Sequence, residues 1–319
     1  APAVAGAATE LGRLLLAEKQ FDVAGRLADQ LIARFPDAIH GYALRTRVLA
    51  RTDHFQDAAG CVERCALTGL GKGELWELLS DEYAAAEQAE AAVDALRRAV
   101  AMLPGDIGVR HKLIRRSVSI AEAKRLVEEI RSIEGEEGVH WKFERAWSLL
   151  RHERDTSAGE AVELLKHCLA ARPAWVSARV LLGSALEAVG SPAEAADAYR
   201  AAITRKPELA ADTVAIRLVE VLKKLGQFGE ADAVLAPLTA ALPDSPEVLR
   251  LEIDKQLRNR SVTSAAAVAE RLLELRGDDP AWAAVTADLQ LRAGNAAKAE
   301  QIARSALKQH PDSTSLMTS

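Results

Sequence analysis

Asparagine is almost missing from this 319-residue chain, occurring only as Asn259 and Asn295. Cysteine is scarce as well. Cys61, Cys65 and Cys168 form an odd set without regular spacing, which makes no disulfide framework. No run approaches about 18–20 uncharged apolar residues, so no membrane span is expected. Charge of one sign is not in excess: 41 Lys and Arg stand against 46 Asp and Glu, net -5. That slightly acidic balance argues against a nucleic-acid partner, whose binding domains are normally basic. The start shows no basic segment followed by an apolar one, so no signal peptide is expected. The few cysteines favour a reducing compartment and hence a cytoplasmic protein, or a periplasmic one if Ala1 is a signal-cleavage product.

Catalytic patterns are missing too. The chain has no His-Glu-x-x-His, no Gly-x-Ser-x-Gly and no Cys-x-x-Cys. Gly69-Leu70-Gly71-Lys72-Gly73 lacks the Ser or Thr that a phosphate loop needs after its lysine, and reads as a linker. Cys61 and Cys65 lie four apart with His54 nearby, a spacing open to a metal. Small-residue packing explains Cys65 better, because Ala99, Ala202 and Ala306 fill the corresponding position in other segments. No catalytic residue, metal or cofactor is expected.

What the chain does have is alanine, leucine, glutamate and arginine, the residues that lose least entropy in a helix. Two markers repeat along it. Prolines close helical runs at Pro36, Pro104, Pro173, Pro207, Pro243 and Pro311, each interval close to one or two lengths of 34. Ala24, Ala58, Ala92, Ala161, Ala195, Ala231 and Ala299 open second helices in the same rhythm. Apolar residues recur at helical spacing within each unit, as in Phe143, Ala146, Trp147 and Leu150. One such helix pair cannot bury its apolar face alone, so stacked neighbours must supply stability.

Leu182-Gly183 with Leu186, Ala195, Tyr199, Ala202 and Pro207 resembles the tetratricopeptide repeat pattern. So do Trp76, Leu79, Tyr83, Ala92, Ala99 and Pro104, and two further segments opening on Leu11-Gly12 and Leu218. The resemblance implies an all-α fold, a right-handed α-α superhelix of about nine helix-turn-helix units. We place them at 5–38, 39–72, 73–106, 107–137, 138–174, 175–208, 209–244, 245–278 and 279–312, with 313–319 as a polar tail. Three units depart from the pattern. Unit 107–137 has a short turn around Ser117-Val118-Ser119, unit 138–174 carries a polar insertion at 151–157, and unit 245–278 has an unclear first helix.

In the resembled family one face of each first helix lines a concave groove where partners bind. Mapped here, that face gives His40, Arg47 and Arg51, then Glu74, Glu77 and Asp81, then His111 and Arg115. The next unit gives Trp141, Glu144, Ser148, Arg151 and His152, with Trp141 as a candidate apolar anchor. Later units give Glu187, Glu220, Lys223 and Lys224. His40, Arg47, Arg51, His111, Arg115, Trp141 and Arg151 are the expected partner-binding residues. The near-absence of asparagine removes the two-sided amides that family members use to hold peptide main chains. The third unit is acidic and the fourth basic, so their charges either pair with each other or face a partner.

The expected function is a non-enzymatic scaffold for a protein or peptide partner. Alternatives are an interaction module from a larger enzyme or regulator, such as a transferase, and a self-assembling scaffold, a homo-oligomer. The high Ala, Arg and Leu content points to a bacterial source.

Overall fold

Eighteen α-helices appear in a computed structural model that describes residues 2–310 apart from 117, 118, 212, 277 and 278. No strand occurs among the described residues. The helices alternate as first and second members of pairs. They run α1 (Pro2–Ala17), α2 (Phe21–Arg34), α3 (Ile39–Arg51), α4 (Phe55–Arg64), α5 (Leu70–Ala85) and α6 (Ala89–Met102). Next come α7 (Ile107–Arg116), α8 (Ile120–Glu134), α9 (Val139–His152), α10 (Arg154–Ala171), α11 (Val176–Ala188) and α12 (Pro192–Arg205). A 3₁₀ turn at Pro207–Ala211 leads to α13 (Thr213–Lys224), α14 (Phe228–Ala241), α15 (Pro246–Arg258), α16 (Val262–Arg276), α17 (Pro280–Arg292) and α18 (Ala296–Gln309). The chain divides into two compact units, Ala1–Ser148 and Leu149–Ser319.

Local chemistry sets these ends. Proline occupies the first turn of α12, α15 and α17, where its missing N–H costs nothing. The Ser119 hydroxyl and the Asp279 carboxylate accept backbone N–H bonds that start α8 and α17. Helices α2, α6, α10, α12, α14 and α18 each end on a residue that precedes proline, with φ between −120 and −138. The proline ring pushes that residue out of the helical region and stops the helix. Within most pairs, one residue of the turn takes a left-handed conformation: Lys19, Asp53, Glu87 and Arg260 at φ 56 to 64, and Gly190, Gly226 and Gly294 at φ 71 to 86.

Small residues let the paired helices approach. Ala24, Ala58, Ala92, Ala161, Ala195 and Ala231 are at most 1% exposed, and Ala299 is 7% exposed. Ala123 and Ala265, each fully buried, occupy the same place in α8 and α16, the two helices where the sequence rhythm skips a beat. Gly183 shows how tight the contact is. A methyl there would sit 2.5 Å from the Tyr199 ring, which is 1% exposed and cannot swing away. Alanine is the better helix former by about 1 kcal/mol, but the clash costs about 1–3 kcal/mol or more. Gly183→Ala should therefore lower the denaturation midpoint. An unchanged midpoint would mean that the ring gives way freely.

Some expectations need correction. Residues 151–157 are not an inserted loop, because α10 begins at Arg154 and simply runs longer than the other second helices. The glycine-rich stretch at 69–73 is not a linker. Gly69 caps α5 and the following residues form its first turn. Cys168 is buried as expected of a small core residue, while Cys65 closes the short α4 and is only half-buried. The first helix of unit 245–278 is regular, from its Ser245 cap onward. Ser117, Val118 and the tail 313–319 lie outside the described residues.

Candidate partner-binding surface

A first helix presents charge inward and meets its neighbours on both flanks, so one repeat's side chains reach those of the next. In the unit Ala1–Ser148 this contact neutralises most of the expected binding charge. Arg47 and Arg51 of α3 both point at Glu82 of α5, at 3.7 and 3.2 Å. On the other flank of α5, Lys112 reaches Glu77 at 2.7 Å and Asp81 at 3.0 Å, and Arg116 reaches Asp81 at 3.0 Å. The acidic third unit is thus clasped between basic neighbours. The choice that the sequence leaves open falls to pairing between repeats, with Glu82 as the partner that the mapped face misses.

His111 and Arg115 of α7 converge on one carboxylate, Glu144 of α9. His111 Nδ1 meets Glu144 Oε1, and Arg115 lies 3.5 Å from the same oxygen. Glu144 is 1% exposed, and its second oxygen is buried without a hydrogen-bond partner. The Arg115 guanidinium also lies over the rings of Phe143 and Trp147, 5.1 and 4.3 Å from their centroids. Such stacking suits the weakly hydrated, planar arginine head.

Trp141 does not sit where the sequence register puts it. Its indole N–H donates to the Gly135 carbonyl at 3.1 Å, and Arg131 of α8 covers its ring at 5.0 Å. Glu144 and Ser148, mapped beside it on the groove face, are buried. The phase of α9 is therefore one residue away from the expected one, and Phe143 and Trp147 face Arg115 instead. One residue is about 100° of helix rotation, enough to move a side chain from one face to another. Arg151 lies exposed near the end of α9, within the unit Leu149–Ser319.

His40 is exposed on α3 and contacts the Thr9 hydroxyl at 3.2 Å. It borders a cavity of about 150 Å³ with Thr9, Arg13, Leu44, Arg47 and Leu78. A second cavity of about 230 Å³ lies beside it, bordered by Glu74, Glu77, Asp81, Glu82 and Lys112. Arg47 and Leu78 line both, so the two form one trough along α3 and α5. Glu74 is exposed and has no ion-pair partner among the described residues. The trough changes character along its length, from apolar with an imidazole to acidic.

In the unit Leu149–Ser319 pairing between repeats recurs. Arg250 reaches Glu220 at 2.6 Å, Lys223 contacts Asp254, and Lys224 lies 3.9 Å from Glu187. The Tyr199 hydroxyl donates to Glu187 at 2.6 Å. Among the described residues, no group of three or more His, Cys, Asp or Glu could hold a metal ion, and no helix is long and apolar enough to cross a membrane.

Comparison with known proteins agrees with this geometry. A family model described as tetratricopeptide repeat matches residues 186–252, and another of the same description matches 159–210 and 251–314. No curated protein matches the chain by sequence. The apo form of the quorum sensor NprR from B. thuringiensis has a similar structure over 95% of this chain and 97% of that one, at 12% identity and a TM-score of 0.56. Pseudomonas aeruginosa PilF is similar over 64% of this chain and 91% of its own, at 16% identity and a TM-score of 0.52. At these identities the likeness concerns the fold alone. Helix pairs stacked on buried alanines, turns in one repeated conformation and the family matches lead to one conclusion: the chain is a tetratricopeptide repeat protein.

Proposed function

We propose that this chain is a non-enzymatic scaffold that holds a protein partner, as an extended peptide or a helix, against the inward faces of its first helices. The observation that carries this reading is the trough along α3 and α5, where two cavities share Arg47 and Leu78. An open trough that is apolar at one end and acidic at the other suits a segment pairing an apolar anchor with a basic residue. Leu78 would meet the anchor and unpaired Glu74 the basic residue. The one hydroxyl–imidazole contact in the trough, Thr9 with His40, has no carboxylate behind the imidazole among the described residues. That pair orients a side chain and lacks the third group that activates a nucleophile.

Arg47 and Arg51 hold Glu82, so reversing them would disturb the stack as well as the surface. The cleaner variant is Glu74→Lys with Leu78→Glu, which leaves every ion pair named above in place. Affinity capture from source lysate, read by mass spectrometry, should retain a partner on the wild type and lose it on this variant, at equal helical content by circular dichroism. The trough assignment fails if both proteins retain the same partner equally.

A further inference from the structure

We propose that the cavity between α12 and α14, in the unit Leu149–Ser319, binds a small aromatic molecule that carries one hydrogen-bond donor. The cavity has a volume of about 310 Å³ and is bordered by Ile203 of α12, Leu218 of α13, and Val234 and Pro237 of α14. Leu218, 1% exposed, gives it an apolar base. Arg200 and Glu230 border it as well, joined by two hydrogen bonds of 2.5 and 3.1 Å.

Comparison with the other repeats shows why the space is open. Two positions matter, two and six residues after the buried alanine of each second helix. In α14 they hold Ala233 and Pro237, and both border the cavity. In α8, after Ala123, they hold Arg125 and Glu129, which pair at 3.8 Å. The setting is otherwise alike, because Arg97 grips Glu122 between α6 and α8 as Arg200 grips Glu230 between α12 and α14. Every other second helix carries at least one polar side chain at these positions, such as Arg26 and Gln30 in α2 or Arg271 in α16. In α14 both residues are short and apolar, and the room that longer side chains take elsewhere stays open.

Pro237 also sets the polarity of the wall. A helical carbonyl points along the axis toward the N–H four residues on, and proline has none to give Ala233. That acceptor therefore stands between two residues that line the cavity. The side-chain donors beside it are committed. Thr204 donates its hydroxyl to the Arg200 carbonyl at 2.9 Å, and Arg200 directs its N–H groups at Glu230 and Asp197. The donor must come from the occupant. Apolar walls and the flat face of the Arg200 guanidinium favour an aromatic ring. A cavity of about 150 Å³ holds one benzene, so one of about 310 Å³ admits two fused rings, the size of indole. That volume lies at the lower bound for small-molecule sites, about 300 Å³, and leaves no room for a length of peptide. The site uses none of the residues of the trough on α3 and α5.

The test uses the full chain with labelled methyl groups, titrated with indole and with 1-methylindole, which lacks the N–H. Indole should shift the nuclear magnetic resonance signals of the Ile203, Leu218 and Val234 methyls saturably, and bind roughly fivefold tighter than 1-methylindole. Pro237→Ala restores an N–H to the Ala233 carbonyl, so it should erase that preference and leave 1-methylindole binding as before. Ala233→Arg with Pro237→Glu copies the pair of α8 and should abolish binding of both probes at full helical content. The site is overturned if no methyl signal shifts saturably, or if the filled variant binds indole as the wild type does. A preference that survives Pro237→Ala reflects the size of the added methyl and overturns the role of the carbonyl. A Gly-Trp-Gly peptide that binds more tightly than indole would make the occupant a peptide side chain, against the proposal. No protein partner enters these measurements, so they stand or fall separately from the lysate capture.

Discussion

Truncating Leu113 to alanine should destabilise the protein by about 2–5 kcal/mol, and the same change at Leu182 should cost less than half as much. The two leucines hold the same place in their repeats, and the sequence pattern marks Leu182 as the better match to the family. The structure separates them. Leu113 is fully buried in the core that α5, α6, α7 and α8 share, whereas Leu182 is only half-buried. A half-exposed side chain has less transfer energy to lose, and solvent or neighbours fill the space it leaves. In a repeat array each loss is felt most by adjacent units. Hydrogen exchange of α7 and α11, read with urea denaturation, is therefore the informative measurement. Equal losses at the two positions would show that place in the repeat, and not burial, sets the cost.

At Glu144 the outcome should turn on what replaces it. Glu144→Ala should cost about 3 kcal/mol, because it opens a cavity and strips Arg115 and His111 of their shared carboxylate. Glu144→Leu should stay within about 1 kcal/mol of the wild type in either direction. Leucine refills the volume and removes the buried oxygen that lacks a partner, an omission that costs about 1–3 kcal/mol. Arg115 keeps its stacking on Trp147 and part of its exposure to water. The repeat itself supplies precedent, since Leu44, Leu78 and Leu181 occupy this position in other first helices. If the leucine variant melts as low as the alanine variant, the ion cluster contributes stability that apolar packing cannot replace.

These cases show how far the sequence can be read. The repeat period, the buried alanines and the helix-ending prolines are legible because each follows from contacts within a pair, set by neighbours in the chain. The α9 face is not legible. A shift of one residue in the phase of that helix exchanges Trp141 for Phe143 and Trp147, which face Arg115. The pairing of Arg47, Arg51 and Lys112 with α5 is likewise hidden. Each pair joins residues about one repeat apart, and only the packing of one pair on the next decides whether they meet.

The left-handed turns between paired helices carry a consequence for engineering the surface. In these turns glycine occurs three times and a charged residue four times: Lys19, Asp53, Glu87 and Arg260. A side chain in that conformation costs about 1–2 kcal/mol, and glycine forfeits roughly 0.5–1 kcal/mol in chain entropy, so the two solutions nearly balance. The turns can therefore take charge of either sign at little cost to stability. Net charge, and with it solubility and the conditions for crystal growth, becomes adjustable at these points without altering a single side chain of the trough.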